Sequence, residues 1–193
     1  DYENGMIASG AVLQYLYETQ KNDLSHLTKI TPYTTGQFMM IDTSTRRNLE
    51  LVETLREKQK RGSLLWVLDK TKTAMGARLL RSFIEQPLID KEEIERRQQA
   101  IEELNMNYIS REEIREYLNS VYDLERLMGR ISYKTANPRD LLSFKNSLEM
   151  LPYIKDILGE FSCELLKKMN EDLDPLRDLY ELIDRSLSLI HIS

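Results

Sequence analysis

The sequence has very few of the residues from which catalytic and metal sites are built. It contains one cysteine, Cys163, and two histidines, His26 and His191, among 193 residues. A lone cysteine excludes an internal disulfide, and these three residues cannot supply a zinc ligand set. They also give no sound Ser–His–Asp or Cys–His arrangement for nucleophilic catalysis. We therefore predict no catalytic residue and no metal-binding residue.

Long apolar runs are also missing. No stretch approaches the roughly 20 apolar residues that cross a bilayer, and the polar, acidic start Asp1-Tyr2-Glu3-Asn4 is unlike a secretory leader. Together with the single cysteine, this favours a cytoplasmic protein with no membrane partner. Because the first residue is Asp rather than Met, we expect a fragment of a longer protein.

One segment partly matches the sequence motif of a nucleotide-binding loop. The segment Gly5-Met6-Ile7-Ala8-Ser9-Gly10-Ala11-Val12 has two glycines at the separation that a phosphate-binding loop requires. However, Ala11 and Val12 stand where the phosphate-binding lysine and the magnesium-binding hydroxyl are needed. We therefore predict no cofactor-binding residue in this chain.

Helical periodicity dominates what the sequence does contain. Hydrophobic residues make up 41% and charged residues 31%, as in an ordinary globular protein. Apolar residues recur at helical spacing, which among others predicts a helix over Ala8–Gln20. Several segments begin with a capping residue, such as Ser63 or Asn137 before Pro138. Asp42, Thr43 or Ser44 is predicted to cap a short helix that carries Leu49, Leu51 and Val52. Phe38–Ile41 is the one stretch typical of a strand. We predict an all-α fold, a multi-helix bundle with at most one or two short strands near Phe38–Ile41.

Several local predictions follow from the same signals. Leu64–Leu68 is apolar all round, which predicts a buried helix with Trp66 in the core. Gly76 lies in a predicted helix over 73–86 and suggests that a second helix packs closely against it. Four further sites are predicted to start or end helices: Asp90 with Glu93, Ser110 with Glu113, Asp174-Pro175, and a break at Leu151-Pro152.

Positive charge is concentrated in one part of this acidic chain. Residues 46–81 contain ten Lys/Arg and four Asp/Glu, a local charge of +6, whereas the whole chain carries −5. Two interpretations are open: a solvated or ion-paired surface, which we favour because base-stacking aromatics are scarce, and contact with DNA phosphates. Candidate residues for non-specific DNA backbone contact are Arg46, Arg47, Lys58, Lys60 and Arg61.

An ordered set of motifs resembles the MutS family of bacterial DNA mismatch-repair proteins. The motifs are Ala8-Ser9-Gly10-Ala11, Met40-Ile41-Asp42, Thr45-Arg46-Arg47-Asn48-Leu49-Glu50-Leu51, Gly62-Ser63-Leu64-Leu65-Trp66-Val67-Leu68-Asp69, Thr73-Ala74-Met75-Gly76-Ala77-Arg78-Leu79-Leu80, Gln86-Pro87-Leu88, Asp123-Leu124-Glu125-Arg126-Leu127 and Asn137-Pro138-Arg139-Asp140-Leu141. The similarity covers roughly residues 8 to 186 and is specific in its order, because no single motif is decisive alone.

The resemblance implies a domain organisation. Residues 1–22 are expected to end the connector domain, and residues 23–186 to form an incomplete helical core (lever) domain. Residues 187–193 depart from the family pattern, which predicts a non-native or disordered tail.

The resemblance also implies a function for the longer protein. The family forms a homodimeric clamp that recognises mispaired or looped-out double-stranded DNA and uses ATP and Mg to signal to MutL. Its mismatch-probing motif and its ATPase lie outside this segment, so no site residue is carried over. A stand-alone helical scaffold and a family relative acting in recombination remain alternatives.

Overall fold

A computed structural model of the protein describes residues 3–19, 24, 27, 29–30 and 35–187. The chain forms two compact units, Asp1–Gly36 and Gln37–Ser193. The α-helices of the described ranges are α1 (Glu3–Thr19), α2 (Thr43–Asn48), α3 (Leu64–Leu68), α4 (Ala74–Glu85), α5 (Lys91–Met106), α6 (Tyr108–Asn119), α7 (Leu124–Ser132), α8 (Pro138–Leu158), α9 (Glu164–Asp172) and α10 (Arg177–Ser186). The all-α prediction is confirmed. None of the described helices is long and apolar enough to cross a membrane.

The first unit is built on α1. The predicted helix is confirmed and begins earlier than the apolar spacing indicated, at Glu3 rather than near Ala8. Val12, Leu13 and Leu16 of this helix line a groove together with Leu27 and Ile30, which follow the helix in sequence. The predicted boundary between residues 22 and 23 stays a prediction.

The second unit begins with a small module, residues 37–89, which we call the N-terminal module. Phe38 and Leu88 form an isolated antiparallel bridge, so the predicted strand is reduced to one pair of residues. The Met39 N–H donates to the Pro87 carbonyl at 2.8 Å and the Ile89 N–H to the Gln37 carbonyl at 3.2 Å, which closes the module. Its apolar core, the module cluster, contains buried Leu51, Leu65 and Ile84 with Ile41, Val52 and Leu80 around them.

The remaining helices, α5 to α10, form the bundle over residues 90–187, with α8 at its centre. Helices α6, α7, α9 and α10 all pack against α8. Two apolar clusters result. The first bundle cluster contains Ala100, Ile157, Phe161 and Leu166. The second contains Leu127, Phe144, Leu148 and Ile183, with Leu187 packed against it. Residues 188–193 of the predicted tail lie outside the described residues.

A buried serine attaches the connection between α6 and α7 to α8. Ser147 is fully buried, and its hydroxyl accepts a hydrogen bond from the Tyr122 N–H at 2.9 Å. The same hydroxyl donates to the Ser143 carbonyl at 2.8 Å. Both bonding capacities of the hydroxyl are therefore used, as burial of a polar group requires.

Helix α9 is held at both ends by charges from other helices. At its start, the Glu103 carboxylate of α5 accepts hydrogen bonds from the Ser162 N–H and hydroxyl, both at 2.6 Å, and from the Cys163 N–H at 2.8 Å. At its end, the Lys155 ammonium of α8 donates to the Asn170 carbonyl at 2.8 Å. An anion at the N-terminus and a cation at the C-terminus both suit the helix dipole.

These hydrogen bonds change the pKa of one carboxyl group, and burial changes that of a thiol. The bonds from Ser162 and Cys163 lower the pKa of Glu103 to about 2 from its ordinary 4.5. Partial burial raises the pKa of the Cys163 thiol. The thiol packs against the first bundle cluster, which supports a structural rather than a reactive cysteine.

The predicted break at Leu151-Pro152 is wrong. Helix α8 continues through Pro152 to Leu158. Proline removes one backbone hydrogen bond from a helix interior. Buried Leu148 precedes it and buried Ile154 and Ile157 follow it, so packing on both sides outweighs this local preference.

Two predicted helix starts are also displaced. Helix α6 begins at Tyr108, and Ser110 lies inside it, where its hydroxyl donates to Glu160 at 2.9 Å instead of capping. Helix α10 begins at Arg177, and the Asp174 carboxylate accepts from the Leu176 N–H at 2.9 Å in a turn before the helix. The predicted caps at Asp90 and Asn137 are confirmed.

We predict that Glu103→Gln destabilises the protein at neutral pH. Because the folded-state pKa of Glu103 is about 2 and the ordinary value is 4.5, its stabilisation is complete above 4.5 and is lost as pH falls towards 2. The difference in free energy of unfolding between wild type and variant, measured by urea denaturation, should therefore shrink across this range. Glu102→Gln, on the same helix and exposed, is the control and should show no such dependence. A pH-independent difference for Glu103→Gln would contradict the assignment.

We predict that Ser147→Ala lowers the free energy of unfolding by about 1 kcal/mol, because the Tyr122 N–H loses its acceptor. Ser143→Ala, one turn earlier on α8, removes a hydroxyl that bonds nothing among the described residues and serves as the control. Equal thermal and urea stability of the two variants would show that the Ser147 bond contributes nothing.

Candidate nucleic-acid interface

The first two candidate cations lie on α2. Asp42 caps this helix by accepting from the Thr45 N–H at 2.9 Å and the Thr45 hydroxyl at 2.6 Å, as one of the predicted caps. The bonds from Thr45 lower the pKa of Asp42. The helix ends at Asn48, and Glu50 follows with a left-handed φ of 49°. Leu51, predicted to lie on this helix, therefore lies in the loop after it.

Arg46 and Arg47 differ in exposure and in hydrogen bonding. Arg46 is half-buried, and its Nε donates to the Ile41 carbonyl at 3.0 Å. Arg47 is exposed, and among the described residues no carboxylate lies within ion-pairing distance of either arginine. Arg46 thus supports the local fold, while Arg47 presents its charge to solvent.

The other candidates lie in the loop before α3. The Thr54 N–H donates to the Gln59 carbonyl at 2.9 Å and the Lys58 N–H to the Thr54 carbonyl at 3.1 Å, which makes the loop compact. Gly62 has φ +96°, and a Cβ added there would lie 3.1 Å from the Thr54 methyl, so glycine suits this position. Lys58 and Arg61 are exposed on this loop.

Lys60 does not present a free charge. It forms an ion pair with Asp69, at the end of α3. The bond from Lys60, with a second from the Thr71 hydroxyl, lowers the pKa of Asp69 to about 2. Of the five candidates, Arg47, Lys58 and Arg61 are therefore exposed and without a carboxylate partner in the part of the chain that the structure describes.

The prediction that α3 is buried is wrong. Ser63 caps it as predicted, accepting from the Trp66 N–H at 3.2 Å, but only Leu65 is buried. Trp66 is 48% exposed and Val67 56% exposed. A five-residue helix can turn only one face to the module cluster, so an apolar composition all round leaves the other faces in solvent.

Gly76 also differs from the prediction. Among the described residues, the atoms nearest to a Cβ added there belong to the preceding loop and not to a second helix: the Thr73 hydroxyl at 3.1 Å and the Thr71 Cβ at 3.5 Å. The Gly76 N–H is the one that the Thr73 side chain caps, at 3.0 Å. The glycine therefore accommodates the capping loop at the start of α4.

Arg78 is the most extensively paired cation of the basic stretch. Its guanidinium donates to both carboxylate oxygens of Asp123 at 2.8 Å and, through Nε, to Glu125 at 3.0 Å. The Arg78 bond lowers the pKa of Asp123 to about 2, and the two carboxylates raise the pKa of Arg78. The sequence did not identify these partners, which lie 45 and 47 residues away along the chain. Arg81 pairs within α4, with Glu85 at 3.2 Å.

The basic stretch is therefore only partly available to a ligand. Arg78, Arg81 and Lys60 have carboxylate partners, which confirms the ion-paired interpretation for them. Backbone hydrogen bonds hold together the two segments that carry the exposed candidates, Arg47 on α2 and Lys58 and Arg61 before α3. The Leu64 N–H donates to the Glu50 carbonyl at 3.1 Å and the Leu65 N–H to the Leu51 carbonyl at 2.9 Å. This brings the end of α2 next to the start of α3.

The glycine-containing segment of α1 does not have the backbone shape of a phosphate-binding loop. Gly10 lies in the middle of α1, where its backbone is helical rather than looped around a phosphate. No group of three His, Cys, Asp or Glu residues suited to a metal ion occurs among the described residues. His26 and His191 lie outside them.

Comparisons with known proteins agree in one family. A family model described as MutS domain III matches residues 44–191. The "DNA mismatch repair protein MutS" of Lachnoclostridium phytofermentans is 68% identical over 97% of this chain and 20% of its own length. Proteins of the same name from Ruminiclostridium cellulolyticum and Clostridium novyi are 51% and 54% identical over 97% and 91% of this chain and over 21% and 19% of their own lengths. The chain thus spans about a fifth of the length of these relatives, and it belongs to the MutS family, with residues 44–191 matching domain III.

Proposed function

We propose that this chain is the helical core segment of a MutS-type DNA mismatch-repair protein. The observation that carries the proposal is the 68% identity over 97% of the chain to a relative named as a mismatch-repair protein. In this proposal the whole protein is cytoplasmic, binds mispaired or looped-out double-stranded DNA, and uses ATP with Mg. A second subunit of the same kind and MutL are its protein partners.

The segment's own role in this proposal is mechanical. The bundle is organised on one helix, α8, of 21 residues, which at 1.5 Å per residue extends about 30 Å. In this proposal α8 is the rigid element that moves between two arrangements, because coupling between distant sites requires a two-state element that both sites bias. The connector assignment of residues 1–22 and the core assignment of residues 23–186 belong to the same proposal.

A second part of the proposal concerns DNA. We propose that the exposed side of α2 and the following loop contacts the phosphate backbone without reading sequence. Of the candidates Arg46, Arg47, Lys58, Lys60 and Arg61, the geometry favours Arg47, Lys58 and Arg61, because Arg46 and Lys60 are already bonded within the chain. Phosphate contacts position a protein on the duplex and carry no sequence information directly.

We predict that the parent protein prefers mismatched over matched duplex by at least about ten-fold, or about 1.4 kcal/mol. The isolated chain should show no such preference and no ATP binding, because in the proposed family the mismatch-probing motif and the ATPase lie outside this segment. Fluorescence anisotropy with one matched and one mismatched labelled duplex measures the preference of the parent protein and that of the isolated chain. Equal binding of the two duplexes by the parent protein would contradict the proposed function, and discrimination by the isolated chain would contradict the role of this segment.

We predict that any duplex binding by this chain depends on salt through the exposed cations. Replacing both Arg47 and Arg61 with Gln should reduce the slope of log K against log salt concentration by about 2, since each phosphate contact contributes about 0.9. Arg81→Gln is the matched control, because Arg81 is exposed but pairs within its own helix. An unchanged slope in the double variant would contradict the proposed phosphate contacts. An equal reduction of the slope in the control would contradict them as well.

A further inference from the structure

The N-terminal module and the bundle have separate apolar cores. The module cluster is built from α3, α4 and the loop after α2, and the bundle clusters from α5 to α10. Among the described residues, none belongs both to the module cluster and to a bundle cluster. Apolar burial therefore stabilises each part by itself, and the junction between them must be held by something else.

Polar contacts made by arginines cross this junction. Arg78 of α4 bonds Asp123, the N-cap of α7, and Glu125 in the first turn of that helix. Arg97 of α5 places its guanidinium carbon 3.9 Å from the centre of the Phe83 ring of α4. Arg115 of α6 makes a longer contact, 3.4 Å, with the Lys70 carbonyl.

The Arg78 contact has the geometry of the strongest of these. Two parallel N–H groups meet the two oxygens of Asp123, so the pair fixes orientation as well as distance. Asp123 lies at the positive end of α7 and also accepts from the Arg126 N–H at 3.3 Å. Its position is therefore set by the bundle, and Arg78 transmits that position to α4.

Solvent can compete for part of this contact. The Arg78 side chain is 47% exposed and that of Glu125 is 68% exposed, so water and salt compete for the bond between them, whereas the Asp123 side chain is 19% exposed. Releasing Arg78 exposes no apolar core, because both cores lie elsewhere. The chain enters α5 at Asp90, directly after the Ile89 N–H closes the module, so rotation about this point leaves both parts folded.

From this arrangement we propose that Arg78 is a releasable latch that sets the angle between the N-terminal module and the bundle. With Arg78 on Asp123 and Glu125, the two parts form one body. With Arg78 released, the contacts of Arg97 and Arg115 remain across the junction, and the two parts move relative to each other about Asp90. This property belongs to the chain itself and does not depend on the proposed role in mismatch repair.

The test is single-molecule energy transfer between dyes on the two parts of the full 193-residue chain. Gln59→Cys in the module and Lys168→Cys on α9 carry the dyes in a Cys163→Ala background, since both sites are exposed. At low salt the unaltered latch should give one narrow distance population. Salt of about 1 M, which shortens the Debye length to about 3 Å, should broaden it.

Arg78→Met should broaden the population at low salt and make it insensitive to salt. We expect the fraction of molecules outside the main population to rise about five-fold, equivalent to about 1 kcal/mol. Asp123→Asn is the second variant, because Asn still caps α7 while the ion pair with Asp123 is lost and the pair with Glu125 remains. It should broaden the population as well, with unchanged helical content by circular dichroism.

Arg81→Met is the matched control. Arg81 lies on the same helix with similar exposure, but its partner Glu85 is also on α4. The distance population of Arg81→Met should equal that of the labelled chain in which Arg78, Asp123 and Glu125 are unchanged. A narrow population in both Arg78→Met and Asp123→Asn would overturn the proposal, as would equal broadening in Arg81→Met.

Discussion

Burial of α8 is the constraint on which the bundle depends. This helix contributes Phe144 and Leu148 to the second bundle cluster and Ile157 to the first, so the two cores are ends of one element. Four of the five other bundle helices pack directly on it, and α5 is joined through α6 and α9. Removing α8 would leave both clusters open. Pro152 removes one backbone hydrogen bond from this helix, and the apolar contacts on both sides of the proline offset the lost stability.

Charges complete what apolar burial begins. Glu103 and Lys155 hold the two ends of α9, and both come from helices already positioned by the first bundle cluster. Arg78 does the same between the module and the bundle, but at a surface where water competes. Polar contacts within the bundle therefore accompany a shared apolar core, whereas those at the junction stand alone. This difference makes the bundle the rigid part and the junction the adjustable one.

The sequence predicted what local chemistry determines. Caps at Asp42, Ser63, Asp90 and Asn137 are confirmed because a short polar side chain bonds an amide three residues away. The break at Leu151-Pro152 and the burial of α3 failed because packing of distant residues decided both. For the candidate site, the sequence located the cations but not their partners. The partner of Lys60 lies nine residues away and those of Arg78 more than forty, and charge counts do not contain such pairings.

Family membership explains where function must be sought. The segment combines a helical core with an exposed basic loop. Native-state hydrogen exchange tests the central claim that α8 organises the bundle most directly. Amides of α8 from Phe144 to Ile157 should exchange only through global unfolding, while those of α2 to α4 exchange through a lower-energy opening of the module. Faster exchange in α8 than in α7 or α10, at equal denaturant, would contradict the account.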